Sequence, residues 1–278
     1  MKYYFLKDYI KNSYNNVSIK AYASKLKSVD TLDDASLDVT LSLPVNEIFD
    51  YTIKDVEYIE SLNSLLKKMM KKNILKIKYV DRKSENRDYH EPIFGRNRGK
   101  KEVTVNVAKE GIIQDVVEYA HIVGHLMDVV LNIKYDNGKD SSDDAMFFHN
   151  LVPMLMEKIV LEKMNYPQLA KYYENLRSYR LKKFSDIDDA LRELESFTSS
   201  SINEMLKENN INRKDFEDYL SEVELGFDPV YKAYCYHVSD GLSKKLFDRK
   251  DYKRDIKALV KYKNIIDLEI YLNKEVRR

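Results

Sequence analysis

Tryptophan is absent from this chain of 278 residues, cysteine occurs once, and glycine and proline are scarce at seven and five. The lone Cys235 excludes an intramolecular disulfide and a cysteine-rich zinc site. So little glycine and proline argues against a strand-and-turn architecture, which needs frequent chain reversals, and leaves a mainly α-helical fold as the expectation. No apolar run approaches the roughly 20 residues that a membrane span requires. The opening MKYYFLKDYIKN has neither a continuous apolar core nor a small-residue cleavage site, so it does not read as a signal peptide. The expected location is the cytoplasm. There is also no excess of either charge: 47 Lys and Arg face 46 Asp and Glu, a formal net charge of +1. That balance gives no global attraction to nucleic acid or to an anionic membrane, and neither is expected as a partner.

What is present fits an ordinary globular chain, with 44% hydrophobic and 33% charged residues and enough length to bury a sizeable core. Twenty-two tyrosines are explained by a composition rich in Lys, Asn and Tyr without invoking a binding groove. No linker demands a cut, so residues 1–278 are read as a single domain. Residues 1–72 form a helical lead-in broken at Pro44, with an amphipathic stretch from Ile48 to Met70. Residues 73–107 hold two short strands, NILKIKYV and EVTVNV, joined by a polar loop containing FGRNRGKK. Residues 108–278 return to helix: Gly111 to Asn132, a YDNGKDSSDD loop, Ala145 to Met164, Leu169 to Leu206, Arg213 to Val223, and Val230 to Phe247.

Within this helical region His121 and His125 stand four residues apart. At about 100° per residue they project from one face, one turn apart, which is the spacing for two imidazoles on one metal. Glu118 and Asp128 share their polar arc, while Ile113, Val116, Ala120, Val123 and Met127 form the apolar side. A plainer reading is a pair of hydrogen-bonded histidines in a helix–helix groove. Arg96, Arg98, Lys100 and Lys101 read as a solvated loop, and His90 and His237 carry no specific signal. Cys235 reads as a buried structural thiol.

The segment VTVNVAKEGIIQDVVEYAHIVGHLMD resembles the heart of the thimet oligopeptidase and oligoendopeptidase F family of zinc metallopeptidases. Val105-Asn106, Asp115-Val116, Ala120-His121, Gly124 and His125 match its strand, its connecting segment and its A-H-E-x-G-H helix. Downstream, FFHNLVPMLMEK resembles the helix that supplies the third zinc ligand, and DPVYKAYCYHVSDGLSKKL resembles the family's tyrosine-rich segment, with Tyr234, Tyr236, Gly241 and Ser243 in register. The resemblance implies a helical, zincin-like catalytic domain with a small β hairpin or sheet. It implies metal ligation by His121, His125 and the Asn150 position, with His149 next to it as an alternative imidazole. It places Glu157 beside the ligands, and Tyr231, Tyr234 and Tyr236 where peptide is held. The same tyrosines also read as core aromatics. Glu118 and Asp128 flank the metal face on the same helix as stand-ins for a base or as hydrogen-bond partners of the ligands, neither at the place of the family's base.

The departures decide the chemistry. Ile122 occupies the place of the glutamate that takes a proton from zinc-bound water. Without a general base, a rate falls by a factor of about 10² to 10⁴. Asn150 stands where the family has an anionic ligand, Val238 replaces one tyrosine, and Phe227-Asp228 lie near the place of a catalytic histidine that has no counterpart. The expectation is a catalytically inactive oligopeptidase-like protein that binds peptide or protein in a cleft between the histidine helix and the tyrosine-rich segment, without a cofactor. An atypical zinc metallopeptidase with a rearranged site is the enzymatic alternative. A scaffold or subunit with a vestigial cleft is the third reading.

Overall fold

The computed structural model describes residues 3–13, 75–82, 93–97, 100–108, 113–135, 145–259, 267–268 and 270–272. The chain is mainly helical. Its elements are α1 (Tyr4–Asn12), β1 (Leu75–Arg82), β2 (Ile93–Asn97), β3 (Lys100–Ala108), α2 (Ile113–Tyr135), α3 (Ala145–Lys163), α4 (Pro167–Arg192), α5 (Ser199–Glu208), α6 (Arg213–Glu224), α7 (Pro229–Asp248) and α8 (Tyr252–Leu259). The expected helix from Ile48 to Met70 lies outside the described residues. No helix among the described residues is long and apolar enough to cross a membrane.

The chain divides into two compact units, Met1–Leu41 with Tyr173–Val238 and Ser42–Tyr172 with Ser239–Arg278. The boundaries at Tyr172 and Val238 fall inside α4 and α7. A boundary inside a continuous helix needs no glycine or proline, and so leaves no trace in the composition.

In the first unit, Leu181, Phe184, Ile187 and Leu191 of α4 are buried with Ile202 and Met205 of α5 and with Phe216 and Tyr219 of α6. Two differences from the sequence reading occur nearby. The helix expected from Leu169 to Leu206 is interrupted, because the Thr198 side chain accepts from the Ser201 N–H at 3.2 Å and starts α5 as a new helix. The first unit also contains a buried polar cluster that the periodicity did not announce. Asp188 has no solvent exposure; its carboxylate accepts from the Tyr219 hydroxyl at 2.8 Å and from Arg192 Nε at 2.7 Å. Burial pushes the Asp188 carboxyl above its usual range, against the opposing bonds from Tyr219 and Arg192. Burial likewise pushes the Tyr219 hydroxyl up, with the Asp188 charge adding to it.

In the second unit, β3 lies between β1 and β2, parallel to β1 and antiparallel to β2. The FGRNRGKK segment is therefore not simply a loop: Ile93–Asn97 is a strand whose register runs from Ile93 opposite Thr104 to Asn97 opposite Lys100. β1 pairs in parallel from Leu75 opposite Lys101 to Arg82 opposite Ala108, as two strands separated by a long connection can.

From β3 the chain enters α2, which packs on α3. Neither helix is one-sided. Along Ile113–Met127 of α2 only Gln114, Glu118 and His121 are partly exposed, and α3 is buried continuously from Asn150 to Leu161. The predicted polar stripe thus narrows to one edge, and its continuation at His125 passes into the interior at 2% exposure. The helices meet backbone to backbone at Gly124. A Cβ built there would stand 2.2 Å from Pro153 Cα and 2.5 Å from Pro153 N.

Two outcomes follow. Gly124→Ala should destabilise the protein by about 3 kcal/mol or more, because backbone cannot yield as a side chain does; an unchanged urea midpoint would contradict the close approach. The second concerns pH. The folded state holds the Asp188 proton more tightly than the unfolded chain does, so this residue's contribution is complete below the unfolded pKa and is lost as pH rises through the folded pKa. Asp188→Asn should remove that loss. Denaturation followed upward from the ordinary carboxylate range should show the variant gaining relative to the wild type until pH passes the folded pKa, then levelling off.

Candidate functional site

The Gly124–Pro153 contact fixes which side chains meet. On α3, His149 and Glu157 lie one turn before and one turn after Pro153, and on α2, His121 and His125 flank Gly124. The residues pair in opposite chain directions, His125 with His149 and His121 with Glu157. Pro153 also lacks the N–H that would otherwise bond to the His149 carbonyl in a regular helix.

His121 Nδ1 stands 2.6 Å from Glu157 Oε1. An ionised carboxylate only accepts, so Nδ1 carries the hydrogen and the Nε2 edge of His121 faces the other way. There it meets His125 Nε2 at 3.0 Å. In the neutral pair His125 Nε2–H donates to His121 Nε2, giving a chain from His125 through His121 to Glu157. The rings of His121 and His125 meet edge to face at 4.7 Å between centroids, and His149 stacks on His125 at 4.2 Å with a 32° tilt. Asn150 is buried beside His149 on α3.

The other sequence-derived residues are distributed as follows. Ile122 is buried at 3% exposure, inside the apolar core of the unit. Glu118 accepts from Gln114 on its own helix at 3.2 Å. The Asp128 side chain lies outside the described residues. Tyr231 and Tyr236 are half-buried in the first unit, while Tyr234 is a fully packed core aromatic at 2% exposure. His237, which gave no signal in the sequence, lies 3.2 Å from the Ser178 hydroxyl through Nδ1. Near the imidazole cluster, sequence reasoning missed Lys158, whose Nζ meets Asp240 Oδ1 at 3.0 Å with both side chains under a tenth exposed. The signal was there: a Glu-Lys pair set between the apolar stretches LVPMLM and IVL must find partners to be buried.

A zinc ion would need more than this cluster presents. Two imidazole nitrogens on one tetrahedral zinc, at about 2.0–2.1 Å from the metal, stand about 3.3 Å apart, so the His121–His125 edge approaches that geometry. Yet among the described residues no group of three His, Cys, Asp or Glu side chains is arranged to hold a metal ion. The neutral Asn150 adds no charge at the place the resemblance assigns to an anionic ligand. The donor set as placed does not fit a closed zinc site.

No protein-family model, no curated protein and no solved structure matches this chain. The likeness to the oligopeptidase family therefore rests on the quoted motifs.

If the Glu157 bond holds the imidazoles in place, Glu157→Ala leaves a largely buried N–H without its acceptor. The expected cost is about 1–3 kcal/mol, read from a denaturant midpoint. An unmoved midpoint would mean that the bond adds nothing to folding.

Proposed function

We propose that this protein is a catalytically inactive relative in kind of the oligopeptidases, a zincin-like helical protein that binds peptide or protein without hydrolysing it. The supporting observation is the state of the histidine helix. Ile122, at the position where a general base would act, is buried at 3% exposure, and an aliphatic side chain accepts no proton. Beside it His121 and His125 hydrogen-bond to one another through their Nε2 atoms, and His121 is held by Glu157 through Nδ1, so that both nitrogens facing each other are engaged within the protein. A fold shaped to hold extended peptide can keep that capacity after losing its chemistry, because capture needs only backbone hydrogen bonds and side-chain pockets. Tyr231 and Tyr236, half-buried rather than packed away, are the tyrosines that can still take part in this role.

The second reading, an atypical metallopeptidase, is favoured by one distance. The 3.0 Å between the two Nε2 atoms would also suit two nitrogens turned toward a common ion. In that reading His121 and His125 would ligate, Glu157 would orient His121, and the metal would supply Lewis acidity.

One experiment separates them. Unstructured peptides are incubated with the purified full chain, with and without added zinc, and binding and cleavage are followed together. The proposal expects saturable binding, at least about fivefold weaker in Tyr231→Ala or Tyr236→Ala on the scale of one lost aromatic contact, and no cleavage. Chelator-sensitive cleavage that His121→Ala abolishes would overturn it in favour of the second reading. Neither binding nor cleavage would leave the scaffold.

A further inference from the structure

Helix α1 has nine residues, fewer than a helix needs to persist alone in water. No side chain caps its N-terminus, and no acidic residue occupies its first turn. Among the described residues, its contacts within the first unit are as follows. Tyr3, Leu6 and Ile10 are buried, while Phe5, Lys7, Asp8, Lys11 and Asn12 face solvent. Tyr3 meets Phe216 edge to face at 6.0 Å between centroids, and Tyr9 meets Tyr219 in the same way at 6.3 Å.

Among the described residues, the polar groups at the end of α1 converge on one side chain. Arg192, the last residue of α4, donates through one terminal nitrogen to the Ile10 carbonyl at 3.0 Å and through the other to the Ser13 hydroxyl at 2.7 Å. Ile10 lies in the last turn of α1, where a carbonyl has no partner within its own helix. The remaining guanidinium nitrogen, Nε, bonds to Asp188. Arg192 therefore caps a helix from a residue 182 positions away in sequence, with its own geometry fixed by a fully buried carboxylate. Asp188 is in turn held by Tyr219, so the cap and the aromatic seat under α1 share one network.

We propose that α1 is a releasable strap across α4 and α6, with Arg192 as its catch. The body beneath has its own core in Phe184, Leu191, Ile202, Met205 and Phe216, none of which belongs to α1. Short elements with few buried contacts open separately from the body they cover. Opening uncovers the faces of Phe216 and Tyr219 and frees the Arg192 fork.

Native-state hydrogen exchange on the full chain, read by mass spectrometry, tests this. In the wild type, the amides of residues 3–13 should exchange through an opening that leaves α4 and α6 protected. Arg192→Ala should speed that opening by about tenfold or more, as expected for the loss of charge-assisted bonds, and by a clearly larger factor than it speeds exchange in α6, which shares the Asp188 network. Arg192→Lys should restore part of the protection. Ser13→Ala, which removes one of the two bonds of the catch and keeps the one to the Ile10 carbonyl, should speed the same opening by a smaller factor. Equal acceleration across α1, α4 and α6 would overturn the proposal, as would unaltered exchange in α1. A failure of Arg192→Ala to fold would overturn it too, unless Ser13→Ala opens α1 alone.

Discussion

The contact between Gly124 and Pro153 is the constraint on which the histidine cluster depends. At this point two helices approach so closely that a single methyl group on Gly124 would run into the backbone opposite. That proximity brings side chains one turn away on either side within hydrogen-bond and ring-stacking range. His121 reaches Glu157 and His125 lies against His149 because the helices are close, and a wider spacing would put both pairs out of reach. Both helices are buried around this contact, α3 from Asn150 to Leu161 and α2 along most of Ile113 to Met127.

Each unit also carries a buried aspartate paired with an arginine and a tyrosine. In the first these are Asp188, Arg192 and Tyr219; in the second they are Asp255, Arg249 and Tyr271. Asp255, like Asp188, has no solvent exposure, and burial raises its carboxyl above the ordinary range while the Arg249 charge opposes the rise. Arg249 lies over the Tyr271 ring at 5.0 Å, tying α8 and the end of α7 to the segment at residues 270–272. Such clusters contribute little net stability, because desolvation cancels much of the attraction. Their geometry is specific, however, and each joins segments that apolar packing alone would hold less definitely.

The helical character of the chain and the apolar side of α2 were legible in the sequence. Ala120, Val123 and Met127 recur at helical spacing and are buried, and the scarcity of glycine and proline pointed the same way. The histidine pair was legible too, from its four-residue spacing. Three things were hidden. The strand at Ile93–Asn97 sits in a segment rich in Gly and Arg, where pairing with β3 overrides a weak local preference. The burial of His125 could not be read from a wheel, since the wheel shows which residues share an arc but not what covers that arc. The long-range polar partners, Lys158 with Asp240 and Arg192 with Ile10, join positions too distant for any local pattern to announce.

The central claim, which belongs to the proposed function, is that the facing Nε2 atoms of His121 and His125 are engaged with one another, with Glu157 holding His121, and do not ligate a metal. Long-range nitrogen–proton correlation of the histidine rings in the intact protein addresses it directly. The account predicts His121 as the Nδ1–H form and His125 as the Nε2–H form, with both spectra unchanged when stoichiometric zinc is added. Displacement of both Nε2 resonances by one equivalent of zinc would contradict it, and would show that the cluster is a metal site.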